Sequence, residues 1–423
     1  MKKTTHAVRA AALLGAAALA LTACGGGGGS EGSSSSSAAG GGGSTDALKI
    51  GSLLPLTGSL AFLGPPEVAG VDLAVKEINE AGGVLGSDVE HISADSSDAD
   101  HADVAPQSWS DLQSQGVSVV VGAASSSVTK LVVDDITNAK TVMISPANTA
   151  TSLSGYSPYY FRTAPPDTVQ GSALANLIVS DGVSDLGILV FNEEYGTSLR
   201  DVVKAGVEAA GVTVTYGNPG EEFDPAAASF TDAVTSILAT KPSAIALIAF
   251  DQTKSIIPEL VAQGFTGSLY MVDGNTADYS GDFPEGTLTA WNTQGTIPGA
   301  FPDDAFQKRL ATVNDSLDSY AYAAESYDAT ILAALAAVKG GGTDGETIQA
   351  NMAAVSGANG GKECTGFKEC ADLIGQGEEI NYQTVSGAGP FNADNDPSSA
   401  FIGIYSYADD NTNSWVKAIE GTA

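Results

Sequence analysis

Two short stretches of small hydroxyl residues follow apolar runs, and they have the clearest potential for chemistry. The apolar run at 117–121 leads into GAASSS at 122–127, and the run at 141–144 leads into SPANTA at 145–150. A buried strand that ends this way brings hydroxyls and free backbone N–H groups to the carboxyl edge of a parallel sheet. That edge can bind a small anionic group. Because neither stretch holds a nucleophile beside a base or a cluster of metal ligands, the pattern predicts binding without catalysis.

Alternating strand and helix signals must position these two stretches. In the first half of the chain, strands are predicted at 48–54, 89–94, 117–121 and 141–144, with helices between them. The pattern restarts at Asp167, with strands predicted at 186–191, 212–216, 244–250 and 268–272. This repetition predicts an α/β protein with two doubly wound lobes of parallel sheets joined by hinge strands. A ligand is expected in the cleft between the lobes.

Later elements are predicted, but their periodicity does not assign them to a lobe. They are helices near 302–317, 320–338 and 346–355 and strands near 401–407 and 415–419. We expect lobe 1 to comprise 46–165 plus 292–378, and lobe 2 to comprise 166–291 plus 379–423. Hinge strands are expected near 161–166, 289–292 and 377–385.

The first 45 residues have the composition of an export signal followed by a linker. Three basic residues precede an Ala/Leu run at 10–21, which fits a secretory signal peptide at 1–23. The sequence Leu-Thr-Ala-Cys that ends at Cys24 resembles a bacterial lipobox, whose cysteine receives a diacylglycerol; a chance cysteine is the alternative. The Gly/Ser-rich stretch within 24–45 predicts a flexible tether. We therefore expect an exported protein, lipid-anchored at the outer face of the cell membrane.

The charge and the cysteines restrict the function classes. The chain has 18 Lys and Arg against 50 Asp and Glu, a net charge of −32. Nucleic-acid binding needs a basic face and is disfavoured, whereas strong acidity favours a soluble monomer. Cys364 and Cys370 are the cysteines that follow Cys24, and in an exported protein they predict a disulfide, with two free thiols as the alternative. No metal site is predicted, because the three histidines form no ligand pattern and the Asp-rich stretch at 95–103 lacks the features of a calcium loop.

Several short motifs occur in order along residues 48–407, and together they resemble one family. They are PLTG at 55–58 with Gly64, INEAGGV at 78–84, VG at 121–122 running to Ser127, ISPA at 144–147, FRT at 161–163 with QG at 170–171, EYG at 194–196, and VSG at 385–387 with PF at 390–391. This set resembles the branched-chain amino-acid-binding (Leu/Ile/Val-type) family of type I periplasmic substrate-binding proteins. The resemblance implies a receptor that delivers a reversibly bound small amino acid to the permease subunits of an ABC transporter. It implies no enzymatic step and no cofactor.

The resemblance also implies a set of ligand-binding residues. Ser126 matches a serine that binds the ligand's α-carboxylate, and a helix N-terminus favours an anion there. Thr149 matches a threonine that contacts both the carboxylate and the ammonium, and Ala147 matches a residue whose carbonyl accepts from the ammonium. Asp273 falls where the family often has a glutamate that pairs with the ammonium. Tyr195 matches the aromatic residue that closes over the ligand from the second lobe.

Three further positions have two interpretations each. Ser125 either contacts the ligand or only caps a helix. Phe250 lies where another pocket aromatic is common, but it also fits a core position. Leu63 lies where some relatives have tryptophan, and it too is either a pocket or a core residue. The amino acid that binds is therefore left open.

Other functions compatible with the sequence differ in ligand or in class. The same fold could bind an amide, a urea or an aromatic acid, for which an acidic residue at 273 would matter less. A sensor that signals to a membrane partner would use the same cleft. A surface hydrolase would need a nucleophile with a base or two facing carboxylates, and neither pattern is found.

Overall fold

The computed structural model describes residues 46–422. The predicted signal peptide at 1–23, the predicted lipidation site at Cys24 and the predicted tether within 24–45 lie outside the described residues. Within 46–422, no helix combines the length and apolar character that a bilayer crossing requires.

The described residues alternate strands and helices as the sequence predicts. The strands are β1 Lys49–Leu54, β2 Glu90–Asp95, β3 Val119–Gly122, β4 Val142–Ser145, β5 Tyr160–Arg162, β6 Asp185–Val190, β7 Thr213–Tyr216, β8 Ala244–Ile248, β9 Ser268–Met271, β10 Gln294–Pro298, β11 Lys362–Cys364, β12 Ile380–Tyr382, β13 Ser399–Tyr407 and β14 Asn413–Thr422. The helices are α1 Gly64–Glu80, α2 Val104–Ser114, α3 Ser126–Asn138, α4 Asp167–Ser180, α5 Glu194–Ala209, α6 Thr231–Ala239, α7 Thr253–Ala262, α8 Asp304–Leu310, α9 Ala323–Gly340, α10 Gly345–Val355 and α11 Gly366–Gly375.

Two separate sheets confirm the predicted two-lobed α/β fold. The first sheet has the order β2-β1-β3-β4-β5, and all of its strands are parallel. The second sheet has the order β14-β13-β10-β9-β8-β6-β7, with parallel pairing from β10 to β7. The late strands β13 and β14 extend this sheet as an antiparallel pair at its edge. We call the residues around the first sheet the first lobe and those around the second sheet the second lobe.

Two crossings between the lobes lie further along the chain than the expected boundaries. Strand β10 lies beyond the expected boundary at 292, yet it pairs with β9 and β13 in the second sheet. Strand β12 lies beyond the expected boundary at 378, yet it pairs with β11 and contributes Ile380 and Tyr382 to the core of the first lobe. The chain therefore crosses after Pro298 and again between β12 and β13. Both strands are short and lack a long apolar run, so no sequence signal marks them.

The late helices pack in the first lobe. Helix α9 is buried along most of its length, because its sequence is dominated by Ala, Ile and Leu. It packs closely on α1, where a Cβ atom added at Gly70 would lie 2.2 Å from the carbonyl oxygen of Ala323. Helix α8 ends at Leu310 and not at the predicted Leu317, because Asn314 accepts a hydrogen bond from the Ser316 N–H and stabilises a turn. The structure brings the sulfur atoms of Cys364 and Cys370 within bonding distance, with Cα atoms 5.3 Å apart.

Candidate functional site

The two hydroxyl-rich stretches lie side by side at the carboxyl edge of the first sheet. Ser125 is the N-cap of α3, and its Oγ accepts a hydrogen bond from the Val128 N–H at 3.3 Å. Ser145, at the end of β4, donates to the Ala123 carbonyl oxygen at 2.6 Å. Asn148 donates to the same carbonyl at 3.2 Å. The loops after β3 and β4 are thus joined to each other, and the N-terminus of α3 is presented at the cleft.

Asp273 follows β9 and presents its carboxylate from the second lobe. Three donors converge on it: the hydroxyl of Tyr195 at 2.6 Å, the hydroxyl of Tyr322 at 2.6 Å and the amide nitrogen of Gln170 at 2.7 Å. Burial raises the pKa of Asp273, and these three hydrogen bonds partly offset the rise. The carboxylate is therefore held in a fixed position, and Oδ2, which accepts from one of these three side chains and not from two, is the oxygen placed to accept from a ligand.

One cavity between the lobes brings most of the predicted residues together. It is lined by seven of the eight predicted ligand residues, namely Leu63, Ser125, Ser126, Ala147, Tyr195, Phe250 and Asp273. It is also lined by Leu60, Ala124, Asn148, Gly274 and Tyr322. Its volume is about 20 Å³, which suits a single water molecule. An amino acid therefore requires the lobes to separate or the side chains to move.

Thr149 lies behind this cavity and not in its lining. Its Oγ1 is buried and makes no hydrogen bond of good geometry, and its carbonyl oxygen accepts from the Asp167 N–H at 2.7 Å. Burial, together with the nearby Asp273, raises the pKa of Asp167 to about 7. Smaller opposing effects come from the hydroxyls of Ser198 and Thr149 and from the Arg162 guanidinium. A second buried carboxyl therefore adjoins the cavity, and no sequence pattern indicated it.

The two interpretations of Phe250 and Leu63 are compatible in the structure. Phe250 stacks on Tyr195, with ring centroids 5.6 Å apart, and contacts Phe191 edge-on at 4.7 Å. Both Phe250 and Leu63 are buried in a hydrophobic cluster that contains residues of both lobes, and both also line the cavity. In this form of the protein, the cavity wall is thus continuous with a hydrophobic core.

Gln170 and Tyr322 were missed as site residues. Gln170 belongs to the QG motif at 170–171, to which the family resemblance assigns no ligand role. Tyr322 precedes α9 and has a left-handed backbone, with φ of 58°, which is uncommon for a residue with a side chain. No local pattern of residue types indicates that this tyrosine reaches Asp273 across the cleft.

A second set of contacts joins the lobes at the mouth of the cleft, and we call it the latch. It consists of Ser125, Ser127, Lys130, Thr151 and Ser152 from the first lobe and Glu193, Glu194 and Ser198 from the second. Glu193 accepts from the Ser125 hydroxyl at 3.3 Å. Lys130 Nζ lies 2.9 Å from a carboxylate oxygen of Glu194. These contacts span the two lobes, so separating the lobes would break them, and they contribute to the free energy of closure.

We expect Glu193→Gln to strengthen ligand binding at high pH and to have little effect at low pH. Burial raises the pKa of Glu193 from its ordinary 4.5 to about 7, and the hydroxyls of Ser127 and Ser125 partly offset the rise. If this carboxyl is solvated when the lobes are open, closure takes up a proton between about pH 4.5 and about pH 7. The cost of closure therefore rises with pH through this window and levels off above it. Titration calorimetry with the bound solute should give a variant at least about tenfold tighter than wild type at about pH 8, with the ratio falling towards one as the pH approaches about 4.

Glu194→Gln is the matched control for this latch prediction. The serine and lysine contacts of Glu194 lower the pKa of its carboxyl, so ionised Glu194 favours closure. Its loss should weaken binding at high pH, the opposite sign to Glu193→Gln. If the ratio of wild-type to Glu193→Gln affinity does not change with pH, Glu193 does not couple closure to a proton.

The acidic stretch at 95–103 stabilises a loop of the first lobe. Asp95 accepts from the backbone of Leu56 and Thr57, and Asp98 accepts from Ser59 and His101. In the part of the chain that the structure describes, no group of three or more His, Cys, Asp and Glu side chains is arranged to hold a metal ion.

Comparison with curated proteins gives relatives along most of the chain. The substrate-binding protein BasB of a chemotactic signal transduction system in Halobacterium salinarum is 28% identical over 374 residues, which cover 84% of this chain and 85% of BasB. The leucine-, isoleucine-, valine-, threonine- and alanine-binding protein of Pseudomonas aeruginosa is 29% identical over 279 residues, 63% of this chain and 70% of the relative.

Solved structures share the fold, and a family model matches the sequence. A leucine-binding protein from Thermotoga maritima has a TM-score of 0.69 at 18% identity and covers 88% of this chain and 98% of its own. A solute-binding protein of an ABC transporter from Rhodopseudomonas palustris, in complex with p-hydroxybenzoic acid, has a TM-score of 0.69 at 16% identity, covering 89% of this chain and 98% of its own. The family model of periplasmic binding proteins matches residues 47–372, about three quarters of the sequence. The chain therefore belongs to the periplasmic binding protein family, as the motifs predicted.

Proposed function

We propose that the protein is an extracytoplasmic receptor of an ABC importer that reversibly binds a small, branched-chain-like amino acid between its lobes. The observation that carries this proposal is the polarity of the cavity. On one side lies the N-terminus of α3 with Ser125 and Ser126, and on the other lies the carboxylate of Asp273. A positive helix end facing a fixed carboxylate complements a zwitterion, whose two charges have opposite signs.

Each proposed residue has a role in this arrangement. Ser126 and the α3 N-terminus receive the α-carboxylate, while Asp273 and the Ala147 carbonyl accept from the ammonium. Thr149, whose buried hydroxyl makes no hydrogen bond of good geometry and lies beside the Asp167 carboxyl, adds a contact to either charged group after a small rotation. Tyr195 covers the ligand from the second lobe. The apolar wall, which includes Leu63 and Phe250, then contacts the ligand's side chain.

The charge of the site supports an amino acid over an aromatic acid. Three buried carboxyls, those of Asp167, Glu193 and Asp273, lie at or beside the cavity. They disfavour an anion that has no positive group of its own. The relatives from Pseudomonas aeruginosa and other bacteria are named for binding leucine, isoleucine and valine, which agrees with this choice, although the Rhodopseudomonas palustris structure contains an aromatic acid.

The remaining features of the proposal concern location and partners. Residues 1–23 are a signal peptide, Cys24 is lipidated and holds a monomer on the outer face of the cell membrane, and Cys364 and Cys370 form a disulfide. The closed, ligand-bound form docks on the permease subunits of the transporter. No catalytic step occurs in this cycle, and the ligand leaves as it entered.

A second candidate function is a sensor in place of an importer. It is favoured by the relationship to BasB, the substrate-binding protein of a chemotactic system, which extends over 84% of this chain. The same closed form would then contact a membrane-bound signalling protein. Uptake of labelled amino acid by cells that lack the gene separates the two candidates. If the protein is an importer's receptor, high-affinity uptake is abolished. If it is a sensor, uptake is retained and only the behavioural response to the amino acid is lost.

A ligand screen tests the proposed solute. The full chain is heated with each of the twenty amino acids, with small amides and urea, and with p-hydroxybenzoic acid. A ligand that binds only the folded state at about 100 times its Kd adds about 2.7 kcal/mol to the free energy of unfolding, so the melting temperature rises. We expect leucine, isoleucine or valine to give the largest shift. A shift with p-hydroxybenzoic acid or an amide alone would refute the amino-acid assignment.

A further inference from the structure

A second and larger cavity lies beside the candidate site, on the other side of Tyr322. It has a volume of about 660 Å³, within the usual range for small-molecule sites. The Tyr322 hydroxyl donates to Asp273, while the same residue lines both cavities. The wall of the second cavity comes from both lobes and from the crossing segment 299–302. It is thus a separate chamber of the cleft.

Aromatic and acidic side chains dominate the lining of this second cavity. Phe62, Phe301, Tyr320, Tyr405 and Trp415 supply rings from both lobes. The ionisable carboxyls in the lining belong to Asp278, Asp318 and Glu325, and the described lining contains no Lys, Arg or His. Aromatic faces and carboxylates both attract cations, and no positive charge within the lining competes with them.

Glu325 is the buried polar group of this chamber. It is only 3% exposed, and the one hydrogen bond to its carboxyl comes from its own backbone amide. A Cβ atom added at Gly299 would lie 2.0 Å from its Oε1, so the carboxyl lies directly against the crossing segment. A buried carboxyl with no partner from another residue is costly and calls for an explanation.

Glu67 adds a second unpaired carboxyl behind the first. It is fully buried in the first turn of α1, next to Pro66, which lines the chamber. Neither of its carboxylate oxygens has a hydrogen-bond partner among the described residues, and the Oγ of Ser326 lacks one too. Two acidic groups and a hydroxyl therefore adjoin an aromatic chamber without any positive partner in residues 46–422.

We propose that this second cavity binds a small organic amine as a cation, with Glu325 as its counter-ion and the aromatic rings around its apolar body. The inference does not depend on the identity of the solute in the first cavity. An ammonium group satisfies Glu325 with a charge-assisted hydrogen bond, and the Tyr322, Tyr405 and Trp415 rings supply cation–π and apolar contacts. The volume admits a molecule of one aromatic ring with a short amine arm.

Binding of such a cation is coupled to proton release. Burial raises the pKa of Glu325, and the nearby Asp328 raises it further. The ionisable groups that face Glu325 are Glu67 on α1, Tyr322 at the start of α9 and Tyr405 on β13, none of them cationic. A bound ammonium favours the ionised carboxylate, so amine binding expels a proton and strengthens as the pH rises.

Calorimetric titration of the full chain with benzylamine tests the proposal, with benzyl alcohol as the neutral analogue and benzoate as the anionic one. We expect benzylamine to bind at least about tenfold more tightly than benzyl alcohol, and benzoate not to bind in this chamber. The affinity for benzylamine should increase from about pH 6 to about pH 8, over which benzylamine stays protonated. Equal affinities for benzylamine and benzyl alcohol would overturn the proposal.

Variants separate this chamber from the candidate amino-acid site. Glu325→Gln keeps the shape of the side chain and should weaken benzylamine binding about tenfold or more, while the thermal shift given by the amino acid is retained. Asp273→Asn should retain benzylamine binding and lose the thermal shift given by the amino acid. If benzylamine binding is lost in Asp273→Asn and kept in Glu325→Gln, the amine occupies the first cavity and the inference is wrong. If no amino acid binds the wild type, the proposed function fails while the benzylamine result still decides this inference.

Discussion

Asp273→Asn is expected to weaken binding of the proposed amino acid by about 2–5 kcal/mol, which is at least about thirtyfold in Kd. The carboxylate is buried at the cavity, so its loss leaves the ligand's ammonium without a charged partner in a site largely shielded from solvent. The asparagine keeps the shape but removes the charge. In the wild type, the carboxylate accepts hydrogen bonds from Tyr195, Tyr322 and Gln170. The amide nitrogen of the asparagine is itself a donor and cannot accept from any of them.

Titration calorimetry on wild type and variant, with melting temperatures as a check on folding, measures this effect. Asp278→Asn is the matched control, because Asp278 is an exposed residue of the same loop whose side chain accepts from the Ser280 N–H. Its affinity for the amino acid should equal that of wild type. An Asp273→Asn protein that is folded and binds with unchanged affinity would remove Asp273 from the site and with it the amino-acid assignment.

The chemistry at each sheet edge was predictable from the sequence, because it depends on local order. An apolar run followed by small hydroxyl residues and a helical pattern determines where β3 ends and α3 begins. Ser125 and Ser126 therefore lie where the sequence predicts them. Asp273 was assigned through the family resemblance, and its position shortly after the buried strand β9 agrees with that assignment. The two-lobed topology follows from the repeated βαβ pattern.

The contacts that cross the cleft could not be predicted, because they join residues that are far apart in the sequence. The role of Tyr322 depends on a left-handed residue before α9 and on the closure of the second lobe over it. Glu193 becomes part of the latch only because α5 faces α3. Strand β10 was missed because its own residues show no strand pattern. It is a strand because it pairs with β9 on one side and β13 on the other. Local propensity carries no information about such partners.

The Arg162–Asp396 pair is an example of the same limit, and it matters for the site. The sequence placed Arg162 in a motif at a hinge, with no sign that it meets Asp396. In the structure both are buried, with Nε 2.7 Å from one carboxylate oxygen of Asp396 and Nη2 2.8 Å from the other. Arg162 also donates to the Ala150 carbonyl at 2.9 Å, directly after Thr149. It thus joins β5, the loop after β4 and the crossing segment before β13.

Arg162→Met is expected to lower the free energy of unfolding by about 3–5 kcal/mol, because it leaves Asp396 buried without its charged partner. The double variant Arg162→Met with Asp396→Leu removes both charges and should recover most of that loss, since two apolar groups of similar size need no partner. Urea denaturation of each protein, without ligand, measures these differences. Lys368→Met, which breaks an exposed ion pair with Asp372, is the control and should leave the transition unchanged. If the double variant is no more stable than Arg162→Met, the unpaired charge of Asp396 is not the source of the loss, and the hydrogen bonds from Arg162 to the Ala150 carbonyl and to Ser154 account for it instead.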